Sequence, residues 1–122
     1  MGTWGAGNFD SDGALDYLGD HIDSLVEKIN ECFEAGAGLD EEGESELMPT
    51  VELLVILAEQ CPAAPPKPEE VKTWKKRYLK TYDSEIDDLD PQEGFKEERR
   101  AVIEQTFDRL INKAAAFYDR TK

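Results

Sequence analysis

Residues 11–35 read SDGALDYLGDHIDSLVEKINECFEA, and the spacing within this stretch decides the fold class. At the helical angle of about 100° per residue, Leu15, Leu18, Ile22, Leu25, Val26, Ile29, Cys32 and Phe33 fall within an arc of roughly 120°. Asp16, Asp20, Asp23, Glu27, Glu31 and Glu34 fall within an arc of roughly 80° on the opposite side. This predicts one long amphipathic helix, capped by Asp10 or Asp12 and ended by Gly36-Ala37-Gly38. No Lys or Arg interrupts the acidic side, and like charges at this spacing destabilise a helix by a few tenths of a kcal/mol per pair. The apolar side must offset that by packing.

Working outward, Asp40 to Glu46 is an acidic connector with five acids in seven residues. A second helix is expected over 45–60, capped by Ser45, with Pro49 tolerated in its first turn. It is apolar on most sides, with Glu52 and Glu59 as a thin polar strip, and is therefore expected to be the most buried element. Pro62, Pro65, Pro66 and Pro68 make a stiff, extended connector. A third helix over 68–82 places Val71, Trp74, Tyr78, Leu79 and Tyr82 on one face and Lys72, Lys76, Arg77 and Lys80 on the other. After a polar loop, a fourth helix over 91–118 opens on an Asp90 cap and Pro91 and carries Ile103, Phe107, Leu110 and Ala114 in its core stripe. The expected fold is all-α: one small four-helix domain over residues 1–122. Its N-terminal arm, residues 1–10, is rich in glycine and expected to be ordered, with Trp4 and Phe9 packed beneath the first or fourth helix.

Charge is distributed unevenly. The chain of 122 residues has a formal net charge of −14, with 39% apolar and 34% charged residues. Residues 1–61 hold 15 acids against Lys28 alone, whereas residues 62–122 hold 13 acids and 13 bases. Such asymmetry speaks to surface field and partners rather than fold. It argues against a nucleic-acid partner, because a strongly acidic molecule repels a polyanion at long range. Lys72 to Tyr82 mixes bases with aromatics, but its aromatics belong to the core face. The longest apolar run, Leu53 to Ala58, is far too short to span a membrane, and no signal peptide is visible. The expectation is a cytoplasmic protein without membrane contact. Its two cysteines, Cys32 and Cys61, then read as free thiols.

Catalytic patterns are weak. Asp10-Ser11-Asp12-Gly13 starts like a calcium loop but lacks the later oxygen ligands, so helix capping is the better reading. His21 has no Glu three residues before it, as a carboxylate-bridged metal bundle would need. No Ser or Cys stands with a base and an orienting group. Catalytic residues, metal ligands and a cofactor are therefore not expected.

One resemblance is specific. Trp4-Gly5-x-Gly7-x-Phe9-Asp10-x-Asp12-x-Ala14-x-Asp16-Tyr17-Leu18 resembles the opening of the bacterial domain-of-unknown-function family 4259 (DUF4259). Members of that family begin with W-G-x-G-x-F-[DE]-N-D-x-A-x-D-[WF]; here Ser11 stands for the usual Asn and Tyr17 for the usual aromatic. The later order of helices is similar too. The resemblance implies a small helical bacterial protein and brings no activity or catalytic residues with it.

The functional expectation is a non-enzymatic protein-binding module, of the kind an immunity protein or adaptor would be. Its acidic face, Asp16, Asp20, Asp23, Glu27, Glu31 and Glu34 with the Asp40 to Glu46 turn, would meet a basic protein. The alternative is a small-ligand binder or enzyme with a cleft between the N-terminal arm and the first helix, using Trp4, Asp10, Asp12 and His21. A homo-oligomer is also open, with the basic face of the third helix meeting the acidic face of the first in another copy.

Overall fold

The computed structural model describes residues 3–62 and 64–120. Four α-helices make the body: α1 (Asp12–Glu34), α2 (Met48–Gln60), α3 (Pro68–Glu85) and α4 (Phe95–Arg120). The fold is all-α. Among the described residues no strand forms, and a single antiparallel bridge joins Thr3 to Ser11.

The ends of α1 show why the helix runs where it does. Ser11, rather than Asp10 or Asp12, is the cap: its hydroxyl accepts from the Ala14 N–H at 3.1 Å. Asp10 is already engaged, because its carboxylate accepts from the Gly7 N–H at 2.8 Å and so folds the arm back on itself. At the far end Gly36 adopts φ +80°, and the Ala37 N–H donates to the Cys32 carbonyl at 2.9 Å. This is a Schellman closure, which needs a left-handed residue that glycine supplies without strain. No base lies in the last turn of α1. Arg77 of α3 supplies the missing cation, donating to the Phe33 carbonyl at 3.1 Å with its guanidinium over the Phe33 ring. A cation at this end also suits the helix dipole.

The acidic connector is not a loop. Residues Glu41–Leu47 wind into a π-helical turn that runs directly into α2. Asp40 caps it by accepting from the Gly43 N–H at 2.9 Å, so Ser45 does not cap the second helix. Gly43 is buried against the Gly38 carbonyl, and a Cβ at position 43 would collide with that backbone. The entry to α4 also differs from expectation. Asp90 takes φ +49° before Pro91, which disfavours the right-handed helical region for its predecessor, and the helix begins only at Phe95, after Gly94 at φ +85°. Asp90 therefore ends the preceding 3-10 turn, Ile86–Leu89, instead of starting α4.

The core joins all four helices. Ile22, Ile29 and Phe33 of α1 meet Val51, Leu54 and Val55 of α2, Val71, Trp74, Tyr78 and Tyr82 of α3, and Ile103, Phe107 and Leu110 of α4. Trp74 is held by its indole N–H, which donates to Asn30 Oδ1 at 3.0 Å. Helix α2 is not buried all round: Leu53 and Ile56 are 49% and 44% exposed. Its neighbours cover only the Val51, Leu54 and Val55 side. Neither Cys32 nor Cys61 is in a disulfide, and no helix among the described residues is long and apolar enough to cross a membrane.

Two glycines give opposite predictions. Gly43→Ala forces backbone apart at the π turn and is expected to lower stability by about 1–3 kcal/mol. Gly19→Ala lies inside α1, where a Cβ meets nothing, and should raise stability by about 0.5–1 kcal/mol. Urea unfolding of the two variants checks both signs.

Candidate functional site

The six carboxylates Asp16, Asp20, Asp23, Glu27, Glu31 and Glu34 are all exposed. At about 1.5 Å rise per residue they form a stripe roughly 27 Å long. None of them makes an ion pair with a described residue. The opposite side of α1 is packed into the core through Leu18, Ile22, Ile29, Cys32 and Phe33.

Several of the bases are used elsewhere. Lys28 of α1 turns away and pairs with Glu46 of the π turn at 2.9 Å. Lys75 pairs with Asp108 at 2.7 Å, Lys96 with Asp87 at 2.8 Å, and Arg109 with Glu59 at 2.7 Å. Arg100 grips Asp83 through two bonds of 2.9 and 3.0 Å and also contacts Glu104. Its bond holds the Asp83 carboxyl below the usual carboxylate range. Lys72, Lys76 and Lys80 of α3 are exposed and make no ion pair with a described residue.

Behind the stripe lies a polar clasp. Glu44, on the π turn, receives two bonds from Arg99 of α4, Nε to Oε1 at 2.9 Å and Nη2 to Oε2 at 3.0 Å. The Tyr78 hydroxyl of α3 donates to the same carboxylate. Tyr82, one turn further along α3, donates to the Lys96 carbonyl at 2.8 Å. Burial pushes the Glu44 carboxyl up, but the Arg99 and Tyr78 bonds outweigh it, and the group ends below its ordinary value. Tyr78 moves the other way: burial, then the Glu44 bond, raise its hydroxyl far above the ordinary tyrosine value, so it stays a donor. One carboxylate thus ties the π turn to α3 and α4 together. Glu44 and Glu46 are engaged in internal pairs.

Sequence reasoning did not find this clasp. Glu44 and Arg99 lie 55 positions apart, and each reads alone as an ordinary surface charge. Tyr78 offered the one hint, as a polar-tipped aromatic on a core face.

Of the N-terminal candidates, Trp4 and Asp10 lie together in the arm. Trp4 is 58% exposed instead of packed beneath a helix, while Phe9 is partly buried against the core. Asp10 serves the arm, and the close approach of its carboxylate to Gly5 and Gly7 leaves no room there for a Cβ. Asp12 and His21 are exposed. The His21 ring stands edge-on to Tyr17, 4.5 Å between centroids. The Trp4 N–H donates to the Asp10 carbonyl at 3.0 Å, so these two share the arm, and no bond from either to Asp12 or His21 is seen among the described residues.

The clasp makes a pH prediction. A carboxyl whose folded pKa is depressed contributes stability above its unfolded value of about 4.3, and this is lost as pH falls through the folded value. Glu44→Gln should therefore be less stable than the wild type at neutral pH, with the gap closing in acid. Arg99→Met, which strands a half-buried carboxylate, should lose about 1–3 kcal/mol at neutral pH. Denaturant melts of the three proteins from about pH 7 to about pH 3 read both effects.

No curated protein and no solved structure shows significant similarity to the chain. One family does match: the model of a domain of unknown function, DUF4259, covers residues 2–120, nearly the entire length. It takes in the Trp4 to Leu18 signature, all four helices and the clasp. The chain belongs to the DUF4259 family.

Proposed function

We propose that this protein is a non-enzymatic protein-binding module that docks a basic partner on the acidic face of α1. A single observation carries the reading: all six carboxylates of the stripe are exposed and unpaired among the described residues. The stripe has a cost to the isolated fold. Its neighbouring carboxylates repel at i, i+3 and i+4 spacing, of order 1–2 kcal/mol in sum. A basic protein relieves that repulsion on binding, so the same feature that weakens the free chain strengthens the complex. The long field of the stripe also steers such a partner and raises its association rate. The Lys28–Glu46 pair supports the reading, because it removes the one base that could neutralise the face from within.

The test uses a variant with Asp20→Asn, Asp23→Asn, Glu27→Gln and Glu31→Gln. The wild-type chain, immobilised at about 50 mM salt, is expected to retain a basic protein from its source cells and release it near 300 mM, where exposed charges are screened within several ångströms. The variant should retain none of it, yet melt at a higher temperature at low salt because its helix no longer repels itself. A variant that captures the same protein, or a wild type that yields nothing to salt, ends the proposal.

A further inference from the structure

A second surface differs from the rest of the molecule. Helices α2 and α4 lie side by side and run in the same direction, since Glu44 pairs with Arg99, Glu52 and Glu59 with Arg109, and Cys61 faces Phe117 across a shared hollow. Between them runs a groove with one hollow of about 360 Å³ beside Met48 and Val102 and another of about 590 Å³ beside Ala58 and Phe117. Arg109, bonded to Glu59 at 2.7 Å and Glu52 at 3.4 Å, bridges the groove between the two hollows. Leu53, Ile56 and Val102, each more than two-fifths exposed, rim this face.

Its charge sets it apart. On a chain of net charge −14, the strip formed by Glu52, Glu59, Arg109 and Lys113 carries none. The charges are also segregated: the acids belong to α2 and the bases to α4. A surface with one acidic and one basic edge, and an apolar ridge along it, complements a copy of itself. Rotation by a half turn about an axis along the helices places α2 of each copy over α4 of the other. Residues at one level then remain at that level. Glu59 of one copy would then lie over Lys113 of the other and Glu52 over Arg109, beside the in-chain bonds of Arg109 to Glu52 and Glu59, each contact occurring twice as a two-fold interface requires. The perpendicular axis would set acid over acid.

We propose that two copies of this chain pack through the α2–α4 face in this arrangement. A standard interface takes roughly 800 Å² from each partner, about a tenth of the surface of a small protein. The chain exposes 7687 Å² in all, so one side of the body is enough. The contact uses none of the acidic stripe of α1, which stays open for a separate partner. It is also distinct from pairing of the basic face of α3 with α1, and salt separates the two. The α2–α4 contact is apolar at its centre and joins two molecules that repel through their overall charge, so screening leaves it intact or tightens it. An α1–α3 contact weakens with salt.

Sedimentation velocity at roughly 100 μM, where a contact of micromolar Kd is filled, reads the outcome. The wild type is expected at twice 13.7 kDa at both low and high salt. Leu53→Lys and Ile56→Lys should sediment as monomers with an unchanged far-ultraviolet dichroism spectrum, since both side chains are already exposed. Leu89→Lys, an equally exposed apolar residue outside this face, should remain dimeric. A monomeric wild type overturns the proposal. So does a dimer that survives Ile56→Lys, and so does one that dissolves as salt rises.

Discussion

Glu44 is the point on which the arrangement of this protein turns. Its carboxylate sits on a π-helical turn, where seven residues close wider rings than an α-helix allows. Such a turn has little propensity of its own, particularly in a segment dense with like charges. It holds because Arg99 and Tyr78 fix the carboxylate from two different helices, and because Gly43 lets the backbone of the turn lie directly on Gly38. The turn sets the start of α2, and with it which side of α2 faces the core. The same bonds explain the opposite displacements of Glu44 and Tyr78: in one shared environment the charged form of one group and the neutral form of the other are favoured.

The bases of the second half act as internal fasteners. Arg77 closes the C-terminal end of α1, Arg99 holds the turn, Arg100 joins α3 to α4, and Arg109 joins α2 to α4. Arginine suits the last three places because its planar fork meets a carboxylate with two bonds in a fixed geometry. Most of the lysines lie at the surface. The formal balance of the second half therefore hides an unequal use of its charges, and the excess acid of the first half faces solvent along α1. The field of the molecule follows from which charges the fold consumes, not from the count alone.

The two surfaces have different physics. The stripe on α1 is polar, uniform in sign and sensitive to salt, which suits fast and reversible association. The α2–α4 face is neutral, ridged by aliphatic side chains and divided by one bridging arginine. The two surfaces lie on different helices, so the two proposed partners would not compete. The N-terminal arm belongs to neither surface. Its signature residues have a local logic, in which Asp10 takes the Gly7 N–H and glycines 5 and 7 give way to the carboxylate.

The sequence by itself determined the four helices, the core side of α1, α3 and α4, and the position of the acidic stripe. Helical periodicity at Leu18, Ile22 and Ile29, or at Trp74, Tyr78 and Tyr82, is a local property that needs no knowledge of neighbours. The opening signature also carried the family. Tertiary structure alone decided the rest. Ser11 rather than Asp10 became the cap because the arm had already claimed Asp10. The acidic connector became a π turn because Arg99, far along the chain, reached it. Leu53 and Ile56 stayed exposed although their helix reads as apolar on most sides, because only one side of α2 found partners. Lys28, the one base of the first half, bonded to Glu46 and not to the acidic stripe. Each of these outcomes is a choice between competing partners distant in sequence, and local pattern holds no information about which partner wins.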